Sequence, residues 1–243
     1  MNTRADLARC LVAEGLGTAF LLATVVGSGI MGERLADGNV AIALLANALA
    51  TGAILYVLIE WFGPFSGAHF NPAVTLSMAS RGDLAWKIVP AYILVQLIAA
   101  IAGVGIANAM FDSPIYSWSQ HARTGPSQWL SEFVATFGLI GLIWVGSRNR
   151  PKAVSALVAS YIGAAYWFTA STSFANPAVT IARAMTNTFA GIRPDDVMGF
   201  LLAQTIGTIA AVAVFGWLVP VRRDGRSAQI ESPIAVNAPA EST

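Results

Sequence analysis

The chain has 243 residues, of which 56% are hydrophobic and 11% are charged, and its net charge is +1. Soluble domains carry about 25% charged residues, so this composition, with a mean hydropathy of +0.63, indicates an integral membrane protein. The near-zero net charge argues against a nucleic-acid partner, because neutralising phosphates requires an excess of Lys and Arg. One cysteine excludes an internal disulfide framework, and two histidines argue against a His-based metal site, so we expect neither cofactor nor metal.

Uncharged segments of the chain measure the expected membrane spans. A bilayer core about 30 Å thick needs roughly 20 helical residues. Four uncharged segments each fit one span, namely 15–32, 38–59, 88–111 and 197–221, and the 15-residue segment 133–147 fits one if Glu132 lies just inside the membrane. The first exceeds the 7–15 apolar residues of a cleavable secretory signal, so we expect it to remain as a span. Two other uncharged segments do not fit a single span, because 153–182 has a remainder beyond one helix and 61–80 is too long for a loop.

Both unusual segments contain the pentapeptide Asn-Pro-Ala-Val-Thr, at 71–75 and at 176–180. Asparagine is among the best N-caps, and proline is favoured at the first helical position. Each pentapeptide therefore predicts a helix start, preceded by extended chain over 63–70 and 170–175. The predicted fold is an all-α membrane protein with six transmembrane helices and two re-entrant half-helices of roughly ten residues each.

The two halves of the chain repeat the same order of features. Glu14 opens the first span and Glu132 opens the fourth, and each is followed by one asparagine pentapeptide. Each repeat holds three full spans, an odd number, so the second copy is inverted relative to the first, an arrangement that places the site at the membrane midplane. We expect one domain over 1–220, with repeats at about 8–110 and 127–220, and a polar, disordered tail over 221–243.

The placement of Lys and Arg supports this topology. Six spans place both termini on one side, and ten basic residues fall on that side: Arg4, Arg9, Arg81, Lys87, Arg148, Arg150, Lys152, Arg222, Arg223 and Arg226. Four fall on the other side: Arg34, Arg123, Arg183 and Arg193. By the positive-inside rule, both termini are predicted to be cytoplasmic in a cell membrane.

The half-helices suggest what the molecule does. Non-helical backbone at membrane depth is tolerated where it is buried in protein or lines a water-filled path. Two helix N-termini placed head to head put positive partial charge at the centre of such a path. Asn71 and Asn176 would offer amide donors and the extended segments would offer carbonyl acceptors, so a neutral hydrogen-bonding solute finds partners where a cation meets a barrier.

On these motifs the sequence resembles the aquaporin, or major intrinsic protein, family over residues from about 8 to 220. Residues 67–75, Gly-Ala-His-Phe-Asn-Pro-Ala-Val-Thr, are close to the first box of that family. The resemblance implies a homotetramer with one pore per subunit in the lipid bilayer. It also implies that the pore is formed at Asn71, Pro72, Ala73, Asn176, Pro177 and Ala178, that His69 lines it, and that Glu14 and Glu132 accept hydrogen bonds from the re-entrant loops. The alternative is that both glutamates sit at the membrane interface.

One position departs from the family pattern. The family usually has Arg directly after the second Asn-Pro-Ala, where this chain has Val179. Counting back from the pentapeptides without gaps places the other constriction residues at Thr51, at Ala164 or neighbouring Gly163, and at Ser173. All are small or uncharged, so an outer opening wider and less polar than a water filter is expected. Arg183, one turn after Val179, could lean back into the pore, but extension to the interface is favoured.

The sequence therefore predicts a passive, non-enzymatic channel for water and small neutral solutes, with glycerol, urea and undissociated metalloid acids as candidates, excluding ions and protons. A secondary transporter of a small polar solute is the alternative, since transporters also use inverted repeats. An enzyme is disfavoured because no nucleophile–base pair or metal cluster lies within a predicted span.

Overall fold

The computed structural model describes residues 4–219, and the tail expected at 221–243 lies outside the described residues. Eight α-helices are present in this part of the chain: α1 Arg4–Leu35, α2 Val40–Ser66, α3 Pro72–Arg81, α4 Val89–Met110, α5 Pro126–Asn149, α6 Val154–Phe168, α7 Pro177–Arg183 and α8 Pro194–Leu218. Short 3₁₀ turns precede α4 and α6. By length and composition, five of the described helices can cross a membrane, namely α1, α2, α4, α5 and α8. The sixth expected span, α6, has 15 residues, or about 22 Å of helix.

The two repeats have the same helix packing. In the first, α1 packs against α2 and α4; in the second, α5 packs against α6 and α8. The halves join through α2 against α6, and through the two half-helices, because α3 and α7 each contact both α4 and α8. The half-helices are therefore enclosed by helices of both repeats, which is where polar backbone can be tolerated inside a membrane.

Local chemistry explains where α3 and α7 begin. The Asn71 side chain accepts a hydrogen bond from Ala73 N–H at 2.9 Å, and the Asn176 side chain accepts one from Ala178 N–H at 3.0 Å. Each asparagine has an extended backbone and is followed by proline at the first helical position. The predicted helix starts are thus confirmed.

Two predicted boundaries are wrong. Residues 63–66 are helical rather than extended, because α2 continues through Pro64 and ends where Gly67 adopts the left-handed conformation. The second half-helix has 7 residues, not about ten. It ends early because the loop at 111–125 pairs with the following chain: Ser119 N–H donates to the Ala184 carbonyl at 3.0 Å and Ser117 N–H donates to the Met185 carbonyl at 3.1 Å.

Close approach of α1 and α4 requires glycine at position 103. A Cβ atom built there would lie 2.4 Å from the Ala19 carbonyl oxygen. We expect Gly103→Ala to lower the free energy of unfolding by about 1–3 kcal/mol, because backbone must shift to relieve the clash. Gly63→Ala is the matched control, since a Cβ atom at Gly63 meets nothing within 4 Å. Thermal unfolding in detergent measures both, and equal midpoints for the two variants would contradict the close approach.

Candidate functional site

The tips of the two half-helices meet and are hydrogen-bonded to each other. Asn71 Nδ2 donates to the Ala175 carbonyl at 2.8 Å, and Asn176 Nδ2 donates to the Phe70 carbonyl at 2.8 Å. Since each Oδ1 caps its own helix, each amide has one N–H left for another acceptor. The predicted head-to-head arrangement of the two asparagines is therefore present.

A buried carboxylate holds the loop before α3. Glu14 is fully buried, and its Oε1 accepts from the Ser66 hydroxyl at 2.7 Å and from His69 N–H at 2.8 Å. Its Oε2 accepts from Phe70 N–H at 2.7 Å and from Gln96 Nε2 at 2.8 Å. These four bonds contradict the interface alternative for Glu14.

The second repeat builds the same network around Glu132, which is also fully buried. Its Oε1 accepts from the Ser171 hydroxyl at 2.6 Å and from Phe174 N–H at 2.8 Å. Its Oε2 accepts from Ala175 N–H at 2.8 Å and from Gln204 Nε2 at 2.7 Å. The hydroxyl and the two N–H donors stand 5, 2 and 1 residues before the asparagine in both repeats, and a glutamine from a later helix supplies the fourth bond in each, so the same network is used twice.

Two glutamines complete these networks, and the sequence reasoning missed them. Gln96 Nε2 also donates to Thr75 Oγ1 at 2.9 Å, and Gln204 Nε2 donates to Thr180 Oγ1 at 2.8 Å. Each glutamine therefore ties a carboxylate to the half-helix of its own repeat. The available signal was a glutamine inside an otherwise apolar span, because polar groups at that depth need a buried partner.

The loops before both half-helices have backbone in the left-handed region at equivalent positions. The φ angles are 52° at Ala68 and 49° at Phe70, and 50° at Ser173 and 46° at Ala175. Such conformations cost about 1–3 kcal/mol for each non-glycine residue and persist where surrounding contacts fix them. The two glutamates provide those contacts through the loop N–H groups.

This backbone leaves carbonyl groups available to a solute. In the described part of the chain, no protein donor bonds the carbonyls of Ala68, His69, Ser173 or Phe174. All four residues line the same cavity. Carbonyls without a protein donor therefore belong to cavity-lining residues in both loops.

The cavity has a volume of about 460 Å³ and passes both asparagine tips. One end, here called the inner half, is bounded by Cys10, His69 and Arg81; the other, the outer half, is bounded by Thr51 and Arg183. The tips therefore border open space that reaches into both repeats, rather than a solid core.

The inner half contains polar groups that are already partnered. His69 Nδ1 lies 3.2 Å from Thr75 Oγ1, and its ring lines the cavity as expected. Cys10 Sγ donates to the Phe65 carbonyl at 3.0 Å. Arg81 forms an ion pair with Asp83. The charge on Arg81 is thus neutralised locally.

In the outer half, the structure brings together three of the four predicted constriction residues. Thr51, Ser173 and Val179 line the cavity and are at most 5% exposed. The alternative, Gly163, does not line the cavity, and neither does Ala164, whose placement at the constriction is a wrong prediction. It lies on the exposed face of α6, because Ile162 and Tyr166, four residues apart on one helix face, point into the cavity instead.

Tyr166 therefore lies on the side of the outer half where the small residue Ala164 was predicted. Its hydroxyl lies 3.2 Å from Thr51 Oγ1. Ser173 is 3% exposed, and its Oγ has no hydrogen-bond partner. A tyrosine therefore lines the outer half where the sequence predicted the smaller Ala164.

The prediction that Arg183 extends to the interface is wrong. Its side chain is 2% exposed and lines the cavity. Its Nε donates to the Ala190 carbonyl, and its Cζ lies 3.4 Å from the centre of the Phe174 ring. The open alternative, in which Arg183 leans back toward the pore, is the one that the structure adopts.

A second buried arginine was missed as a site residue. Arg123, in the loop between α4 and α5, donates to the carbonyls of Gly191 at 2.8 Å, Ser171 at 3.2 Å and Phe189 at 3.3 Å. Burial lowers the pKa of Arg123 to about 10, while nearby Glu132 raises it. Arg123 is therefore charged at neutral pH. His121, in the same loop, lies outside the cavity lining, and its pKa is lowered by burial and by Arg123 and Arg183.

Replacing a loop-holding carboxylate tests the network. In Glu132→Gln an amide NH₂ group replaces one carboxylate oxygen and faces hydrogen-bond donors that it cannot accept from. We therefore expect the free energy of unfolding to fall by about 2–4 kcal/mol and permeation to be lost. The matched control is Glu60→Gln, because Glu60 is exposed and accepts one bond from Ser155. Chemical unfolding in detergent reports both variants, and a Glu132→Gln protein as stable as the control would contradict the proposed support.

Comparison with known proteins agrees with this geometry. Residues 1–175 match the family described as Major intrinsic protein. The chain is 55% identical over 218 residues to Aquaglyceroporin AqpS of Rhizobium meliloti (strain 1021), covering 90% of this chain and 93% of that protein. It is 31% identical over 223 residues to Aquaporin NIP1-1 of Arabidopsis thaliana, covering 84% of this chain and 72% of that protein.

A solved structure shares the fold. The X-ray structure of the aquaglyceroporin from Plasmodium falciparum superposes with a TM-score of 0.67 at 18% sequence identity, covering 86% of this chain and 95% of that chain. At that identity the likeness concerns the fold alone. Taken with the sequence matches, it shows that the chain is a multi-pass membrane protein of the major intrinsic protein family, the aquaporin family of channels for water and small solutes.

Proposed function

We propose that the chain forms a passive pore for water and for uncharged solutes larger than water. The observation that carries this proposal is the open cavity that passes Asn71 and Asn176, each with one free amide N–H. A solute moving along it exchanges hydration for the asparagine donors and for the unbonded loop carbonyls. That exchange lowers the cost of dehydration for neutral hydrogen-bonding molecules.

The residues of the two Asn-Pro-Ala boxes form the midplane of this pore. Their asparagines donate to the solute, and their prolines and alanines start the half-helices: Asn71, Pro72, Ala73, Asn176, Pro177 and Ala178. Glu14 and Glu132 support the loops, and His69 lines the inner half. The positive ends of the half-helices oppose cations and protons at the midplane.

Solute size is set in the outer half. Val179 stands where the family usually has arginine, so an aliphatic side chain replaces a long guanidinium beside Thr51, Ser173 and Tyr166. The hydroxyl groups of Thr51 and Tyr166, which line the cavity, can hydrogen-bond a solute. Glycerol, urea and undissociated metalloid acids are uncharged hydrogen-bonding solutes, the class that such a lining favours. The name of the AqpS relative, an aquaglyceroporin, supports the same class.

The pore belongs to a homotetramer in the cell membrane, with both termini in the cytoplasm. The basic residues on the terminal side support the orientation. Large apolar side chains on α2, including Leu49 at 65% exposed, lie on surfaces that lipid or neighbouring subunits would cover.

Stopped-flow light scattering on proteoliposomes tests the proposal. Water, glycerol, urea and a neutral metalloid acid are compared, with bare lipid and a proton-leak assay as controls. A passive pore gives fluxes that rise linearly with solute gradient. Saturable flux driven by a proton or sodium gradient would instead support a secondary transporter, and fluxes equal to bare lipid would overturn the channel.

Filling the outer half at Val179 tests where the size limit lies. We expect Val179→Arg to reduce glycerol and urea flux by at least about tenfold, since small differences in pocket size discriminate by that factor, while water flux persists. Val179→Met is the matched variant, because it adds length without charge. Unchanged glycerol and urea flux in Val179→Arg would place the constriction elsewhere.

A further inference from the structure

Arg183 is a buried cation with no carboxylate bound to it. Among residues 4–219 the ion pairs are Arg9–Asp6, Arg81–Asp83 and Arg193–Asp196. Instead, Arg183 Nε donates a hydrogen bond to the Ala190 carbonyl, a neutral acceptor, and the side chain borders the cavity. Its positive charge is therefore not neutralised by an ion pair, in contrast to that of Arg81 at the inner end.

The site of Arg183 is built by the network already described. The guanidinium lies over the Phe174 ring, with Cζ 3.4 Å from the ring centre. Phe174 N–H donates to Glu132 at 2.8 Å, which fixes the residue that carries the ring. Arg123 lies 5.1 Å from the same ring centre and is bonded to three carbonyls of the surrounding loops. The Arg183 side chain is therefore held at two points, the Ala190 carbonyl and the Phe174 ring.

The inverted repeat provides an internal comparison. Arg183 is the seventh residue after Asn176, and Met78 is the seventh after Asn71. Both side chains line the cavity, and both half-helices carry valine directly after Asn-Pro-Ala. The two halves of the pore therefore differ at this position by one charge, which lies in the outer half alone.

We propose that Arg183 is the cation-excluding residue of the outer pore, displaced one helical turn from the place directly after the second Asn-Pro-Ala. This inference rests on the proposed channel function. An unneutralised guanidinium beside a partly dehydrated path repels a passing cation strongly, because the local dielectric constant is low. A neutral solute experiences no such repulsion. Val179 and its neighbours then limit size while Arg183 limits charge, so the pore admits solutes larger than water without admitting cations.

Arg183→Met gives the outer half-helix the residue of its inner counterpart. We expect potassium or proton conductance in planar bilayers or vesicles to rise at least about tenfold, from the loss of one charge in a low-dielectric site, while water flux changes by less than about twofold. Arg34→Met is the matched control. Arg34 is exposed, lies outside the cavity, and its Cζ is 5.2 Å from the centre of the Phe111 ring. We expect no change in conductance for Arg34→Met.

Two further variants separate charge from folding. Arg183→Lys keeps the charge and should still exclude cations. The double variant Val179→Arg/Arg183→Met places the charge one helical turn deeper, at residue 179, and should exclude cations again. If Arg183→Met does not yield folded protein, Arg183→Gln, which keeps donors for Ala190, replaces it. A folded, water-conducting Arg183→Met or Arg183→Gln protein that stays cation-tight overturns the inference. So does parallel loss of all fluxes in both, since that result indicates a purely structural role.

Failure of the channel proposal is distinguishable from failure of this inference. The unmodified protein is measured in the same vesicles. If it conducts neither water nor solute above bare lipid, the channel function fails. If it conducts them and conductance to cations is independent of residue 183, the assignment of Arg183 alone fails.

Discussion

The structure depends on two carboxylates that are buried inside the membrane region and fully hydrogen-bonded. Ionised carboxylates at such depth are costly unless all their acceptor sites are used. Glu14 and Glu132 each meet this condition with two backbone N–H groups, one hydroxyl and one glutamine amide. The same bonds stabilise the left-handed loop backbone. The loop N–H groups thus stabilise the buried carboxylate, and the carboxylate fixes the loop conformation. The unbonded carbonyls and the Phe174 ring against Arg183 belong to these loops.

The inverted repeat explains why the tips are rigid without being filled. Each asparagine donates across the symmetry to the other loop, at Ala175 and Phe70. Neither half-helix can shift without breaking a bond that belongs to the opposite repeat. Rigid donors cost little reorganisation when a solute arrives. The cavity beside them remains open because the loop backbone is anchored from behind, by the glutamates, rather than by side chains crossing the lumen.

Features that depend on neighbours in the chain could be predicted from the sequence, and features set by tertiary contact could not. Asn71 and Asn176 as helix caps, and the span at 88–111 found as Val89–Met110, follow from local chemistry and charge spacing. Tyr166 was missed because a gap-free count from Asn176 makes no allowance for the turn at 169–172, and the face of α6 that lines the cavity carries Tyr166 while Ala164 is exposed. The position of Arg183 could not be predicted from its own half-helix, because Phe174 and Ala190 reach it from two separate loops.

The asymmetry between the halves is informative because so much else is duplicated. Carboxylate, hydroxyl, glutamine, threonine, asparagine and the left-handed positions recur in both repeats, so they serve the scaffold that any such pore needs. Two departures from symmetry lie at the cavity wall. His69 faces the inner half where Phe174 stands in the outer one, and Met78 faces it where Arg183 stands. The selectivity that we propose therefore depends on a few side chains that the repeat does not match, among them the charged Arg183 in the outer half.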